Sequence, residues 1–184
     1  MNHLYRRIFK TQSTGVETLR ELLETMFVSE LLKVGISENG NAEIWLVSPW
    51  ISNVVLVDNR TGNFDTLNPE WGRTEIRLSD ILVTLMDRGT TVIIVTLNVE
   101  SNQSFLVKLN ELVQEYTLDS HLKLILREKL HTKGILLTRC LLLGSMNLTH
   151  NGININDEFI EYIIDQEAIA STKLEFQQIY EEEP

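Results

Sequence analysis

The chain has 184 residues, 43% of them hydrophobic and 23% charged, which is the composition of one ordinary globular domain over residues 1–184. Sixteen basic residues against twenty-six acidic ones leave a formal net charge of −10. That excludes indiscriminate binding to nucleic acid and docking on anionic membrane, since both draw on Lys and Arg. The apolar stretches are strand-length, well short of the ~18 residues of a membrane span. Tyr5, Arg6 and Arg7 interrupt any signal-like run at the start, and Cys140, the one cysteine, excludes an internal disulfide, so a reducing cytoplasm is expected.

In chain order, Arg6, Arg7 and Lys10 form the most basic local cluster and read as a solvated N-terminal arm. Thr14-Gly15-Val16-Glu17 has the form of a capping box, and Val16, Leu19, Leu22, Leu23, Met26, Phe27 and Leu31 then recur at helical spacing until Gly35. Residues 43–48 (EIWLVS) read as the first strand, closed by Pro49. Residues 58–77 show no periodicity and are expected to form a long loop. It offers Arg60, Arg73 and Arg77 as candidate phosphate contacts, and Trp71 either as a stacking surface for a base or as an apolar anchor of the loop.

Residues 79–88 suit a short helix stopped by Gly89, and residues 91–97 (TVIIVTL) a β-branched central strand. Strand, helix, strand in succession implies a parallel pair with a right-handed crossover. A further helix is expected over residues 104–116, and an alternating strand over 121–126 suits a place nearer the sheet edge. Residues 158–165 alternate as a last strand before a closing helix over 167–182, with Glu181, Glu182 and Glu183 as a solvated terminus. The expected fold is an α/β sandwich, a mixed sheet with helices on both faces.

The stretch from His131 to Glu158 carries the chemistry. If residues 131–138 (HTKGILLT) form a strand, His131 and Lys133 project from one face, while the apolar run behind Gly134 is buried. Thr138 and Arg139 supply a reversal, residues 140–143 form the hairpin partner, and Gly144 leads into Ser145 and Asn147, again two apart. The hairpin thus turns both pairs toward one pocket. His121-Leu122-Lys123 is a second His-x-Lys, but the same spacing from it finds only Gly134 in place, so His121 reads as a structural residue at the start of a strand.

His131, Lys133, Gly144, Ser145 and Asn147 resemble the signature of the phospholipase D superfamily, His-x-Lys, four residues, Asp, then Gly-Ser-x-Asn. Asn156-Asp157-Glu158 is similar to that family's continuation, and Pro49-Trp50-Ile51 to the end of its first strand. Thr138 stands at the aspartate position. A carboxylate in a hairpin bend mainly accepts from nearby backbone, and a threonine hydroxyl does so more weakly, so the change bears on the turn more than on the reaction. DNA-acting branches of the superfamily often lack this Asp, which points to nucleic acid over lipid.

The resemblance implies a phospholipase D-like α/β/α sandwich and a metal-independent reaction with no cofactor. His131 would attack phosphorus, forming a phosphohistidine that water cleaves. Lys133, the Asn147 amide and the Ser145 hydroxyl would hold the nonbridging oxygens, and Glu158, with Glu161 as the rival carboxylate, would orient the imidazole. One half-site per chain implies a twofold homodimer in which the second His131 protonates the leaving oxygen. His131, Cys140 and His150 lack the spacing of a zinc site; His150 lies in a turn sequence and Cys140 in an apolar strand. The leading function is therefore a nuclease, with DNA ahead of RNA as substrate. A catalytically silent subunit of a bacterial DNA-modification or defence complex, with other subunits as partners, stands as the alternative, and a phospholipase as the third.

Overall fold

The computed structural model describes residues 5–34 and 42–182, so Gly35, the expected end of the first helix, lies outside the described residues. Its strands are β1 (Tyr5–Lys10), β2 (Glu43–Val47), β3 (Val55–Asp58), β4 (Glu75–Arg77), β5 (Thr91–Leu97), β6 (Leu122–Arg127), β7 (Gly134–Leu136), β8 (Leu141–Gly144) and β9 (Glu158–Ile163). Its helices are α1 (Val16–Val34), α2 (Leu78–Asp87), α3 (Glu100–Glu115), α4 (His150–Asn154) and α5 (Gln166–Gln177), the last followed by a wider turn over Gln178–Glu182.

Seven strands form one mixed sheet in the order β1-β9-β8-β7-β2-β5-β6. β2, β5 and β6 run parallel, and β7, β8, β9 and β1 continue antiparallel from β2. Alternation along the central strands divides the core. Ile44, Leu46, Val92, Ile94, Ile135 and Ile160 pack with α1, α2 and α3, whereas Trp45, Val47, Ile93, Val95, Leu136 and Leu141 meet Ile169, Phe176 and Tyr180 on the other face. Near-continuous burial along β5 and β7 is what two covered faces require. The expected mixed sheet with helices on both faces is the fold, and the alternating β6 does lie at an edge.

Several expectations change. The basic N-terminus is not a solvated arm: residues 5–10 pair with β9 as an edge strand, and Lys10 is buried. The stretch from 58 to 77 is not a plain loop, because β3 and β4 pair into a small second sheet with a 3-10 turn at Pro69–Trp71 between them. Turn-like Thr-His-Asn-Gly opens α4, where Thr149 accepts from the Gly152 backbone N–H as an N-cap. Glu181 is not merely solvated, since it pairs with Lys123 at 2.7 Å.

α3 also begins earlier than its apolar stripe, at Glu100, because Asn102 has a buried polar role. Its amide nitrogen donates to the Pro49 and Leu97 carbonyls, and its oxygen accepts from the Ile51 N–H at 3.0 Å. A polar side chain does not register in a hydrophobic period, but it fixes the segment after β2.

Candidate active site

β7 and β8 converge at one rim of the sheet. β7 is short, Gly134–Leu136, so His131 and Lys133 lie in the segment leading into it and not in the ladder itself. The pairing of Gly134 with Leu143 brings that segment beside the end of β8, where Ser145 and Asn147 follow. An open cavity of about 560 Å³ is lined by Trp50, His131, Thr132, Lys133, Leu143, Gly144, Ser145 and Asn147. The structure therefore brings together four of the side chains singled out from the sequence, and adds Trp50, 46% exposed, as a wall that the spacing did not reveal.

The backbone around the cavity is closely fitted. Gly144 has φ +149°, and a Cβ there would lie 2.0 Å from the Phe159 carbonyl oxygen, so only glycine lets β8 pass β9 at this point. Gly152 has the same need against the Asn147 carbonyl oxygen, at 2.2 Å. The Ser48 hydroxyl donates to the Trp50 carbonyl and accepts from the Leu148 N–H, while Ser52 N–H donates to the Leu148 carbonyl. These bonds join the Trp50 segment to the strip carrying Asn147.

Ser145 and Glu158 are coupled. The Ser145 hydroxyl donates to Glu158, its oxygen accepts from the Phe159 N–H at 3.0 Å, and its own backbone N–H donates to the Phe159 carbonyl. With its single proton given to a buried carboxylate, this hydroxyl positions Glu158 and is not a spare donor to a ligand. Lys133 donates to the His131 carbonyl at 2.6 Å, and burial pushes its pKa down against the opposing pull of Glu158. The Asn147 side-chain oxygen is buried without a hydrogen-bond partner among the described residues.

The His131 ring makes no hydrogen bond among the described residues, and Glu158 accepts from Ser145 instead of from it. Glu161 cannot be the orienting carboxylate within this chain: it lies on the opposite face of β9, where Tyr5 and Arg7 donate to it.

The other candidate residues stand elsewhere. Arg60 makes a two-point contact with Asp58, 2.9 and 2.6 Å, which holds the Asp58 carboxyl at about 2 and pushes the Arg60 pKa up. Arg77 donates to the Asn53 carbonyl, and Arg73 reaches Asp65 at 4.0 Å. Arg60 and Arg77 line a separate cavity of about 610 Å³ in company with Glu21, Glu24, Asp58 and Glu75. Trp71 packs on the main core and donates to the Thr84 hydroxyl at 3.1 Å, the anchoring role and not a free stacking face. The Cys140 thiol is buried and pushed up to about 12 by that burial, which makes it a poor nucleophile. Among the described residues no three His, Cys, Asp or Glu side chains converge so as to hold a metal ion. No described helix is long and apolar enough to cross a membrane.

The family model of the cardiolipin synthase, phospholipase D-like domain, matches residues 59–180. The chain belongs to the phospholipase D superfamily. No curated protein matches this phospholipase D-like chain. Among solved structures it is similar to Nuc from Salmonella typhimurium, a phospholipase D family member, at 15% identity and a TM-score of 0.56, covering 97% of this chain and 94% of that one. NucT from Helicobacter pylori is also 15% identical, with a TM-score of 0.54 over 95% of this chain and 94% of that one. The phosphatidylserine synthase of Haemophilus influenzae is 17% identical, with a TM-score of 0.57, covering 95% of this chain and 37% of that one. At these identities the likeness is one of fold.

Proposed function

We propose that this phospholipase D-like chain is a metal-independent phosphodiesterase, a nuclease, that acts through a phosphohistidine formed on His131. The observation that carries the reading is the meeting of His131, Lys133, Ser145 and Asn147 around one cavity at the ends of β7 and β8. A phosphodiester is anionic, so a neutral imidazole nitrogen is a better attacking group than hydroxide, and a cation beside the nonbridging oxygens stabilises the charge that builds. The His131 nitrogen forms the new bond to phosphorus while the bond to the leaving oxygen breaks, and that oxygen takes a proton. Water then cleaves the phosphorus–nitrogen bond and returns the imidazole. Lys133 and the Asn147 amide hold the phosphoryl oxygens, and Glu158 holds Ser145 in place.

The leaving oxygen needs an acid that one nucleophilic histidine cannot also be, so a second copy facing across a twofold axis supplies it from its own His131. Thr138 at the aspartate position of the signature supports nucleic acid over lipid as substrate, with DNA ahead of RNA. The silent-subunit reading draws on one observation, that the His131 ring has no orienting partner among the described residues. The test is incubation of the purified chain with single- and double-stranded DNA and RNA in EDTA. Cleavage that survives the chelator and disappears in His131→Ala is expected; cleavage equal in wild type and His131→Ala contradicts it, and a folded wild type that binds DNA without cutting favours the silent subunit.

A further inference from the structure

β1 joins the sheet as its last strand, and its register sets Lys10 opposite Glu158. Lys10 is 1% exposed, so its ammonium has left water, a loss made good only by hydrogen bonds and opposite charge. It donates to the Asn156 carbonyl and faces the carboxylates of Glu158 and Asp157. Glu158, 7% exposed, accepts the hydroxyl of Ser145, which lines the cavity together with Lys133, and its negative charge acts on the Lys133 ammonium. One buried carboxylate thus lies within electrostatic reach of two ammoniums, that of Lys133 at the cavity wall and that of Lys10, its register partner in the sheet.

We infer that Lys10 is a positioning residue of the site: by balancing the charge of Glu158, it leaves the Lys133 ammonium free to hold a phosphate oxygen. This rests on reading the cavity as a phosphodiester site. Asp157 is exposed and its charge is screened by water, so two ammoniums against the one buried carboxylate leave positive charge for an anion. Without Lys10 the carboxylate and Lys133 cancel, and Lys133 is drawn toward Glu158 and away from the ligand. The bond between Ser145 and Glu158 persists in either case, so the loss falls on anion binding and not on the backbone around the cavity.

Inorganic phosphate is a suitable probe, with its affinity for the full chain measured by calorimetry at fixed ionic strength. Lys10→Met, which keeps the length of the buried side chain, should weaken phosphate binding about tenfold, as expected for loss of one nearby charge. Lys10→Arg should stay near the wild type. The double variant Lys10→Met with Glu158→Gln should recover most of the loss, because the carboxylate that had claimed Lys133 is gone; a packing role for Lys10 would give no such rescue. If Lys10→Met does not fold, Glu158→Gln alone serves: it should tighten phosphate binding, since both ammoniums then face an anion uncompensated. Unchanged affinity in folded Lys10→Met, no rescue in the double variant, or no tightening in Glu158→Gln overturns the role of Lys10 alone. A wild type that binds no phosphate overturns the reading of the cavity and this inference with it.

Discussion

Thr138 stands where the family signature has an aspartate, and a carboxylate is nevertheless present at that turn. Glu30 of α1, 2% exposed, accepts from the Thr138 backbone N–H at 3.2 Å and from its hydroxyl at 3.0 Å. Lys33 donates to the same hydroxyl and lies 3.8 Å from the Glu30 carboxylate. The negative charge that would have come from the turn comes instead from the helix packed over it. Restoring the family residue should therefore do harm: Thr138→Asp sets a second carboxylate against a buried first, at a cost of about 1–3 kcal/mol. Adding Glu30→Gln to that variant should recover stability in urea unfolding. Equal stability of Thr138→Asp and wild type would mean that Glu30 is not the partner that excludes aspartate here. The sequence gives no warning of this pair, because the two residues are 108 positions apart and a lone glutamate on a helix looks solvated.

At the scale of elements, the site depends on how closely β8 can pass β9. Gly144→Ala puts a methyl group where the Phe159 carbonyl oxygen stands, at a left-handed φ as well, so β8 must move and carry Ser145 with it. The expected result is a loss of more than ~1 kcal/mol in denaturant unfolding, together with loss of phosphate binding. A folded Gly144→Ala with wild-type affinity would show that the Ser145 strip tolerates displacement. The parallel pair β2 and β5, the buried β7 and its hairpin partner were legible because apolar runs of strand length announce themselves. β1 was not, since YRRIFK has too few buried positions to look like a strand until β9 supplies its partner from the far end of the chain. Lys10 was hidden for the same reason: a lysine is read as solvated, and only the pairing register shows that it is covered. β3 and β4 escaped for want of length, at Val55–Asp58 and Glu75–Arg77.

For the whole molecule, a net charge of −10 confines any positive field to small regions, and the His131 cavity has its own cations in Lys133 and, opposite Glu158, Lys10. The loop arginines spend their charge on Asp58, Asp65 and a backbone carbonyl, so they add little to that field. The proposed second copy would supply the missing acid, and it would also place two His131 rings in one site. The central claim is that His131 bonds covalently to phosphorus. Its most direct test is a rapid acid-free quench of the wild-type chain turning over a phosphorus-labelled DNA strand in EDTA, followed by mapping of the protein-bound label. Base-stable, acid-labile label on His131, absent from His131→Ala, is the expected result; steady turnover with no label on His131 at any quench time would contradict it.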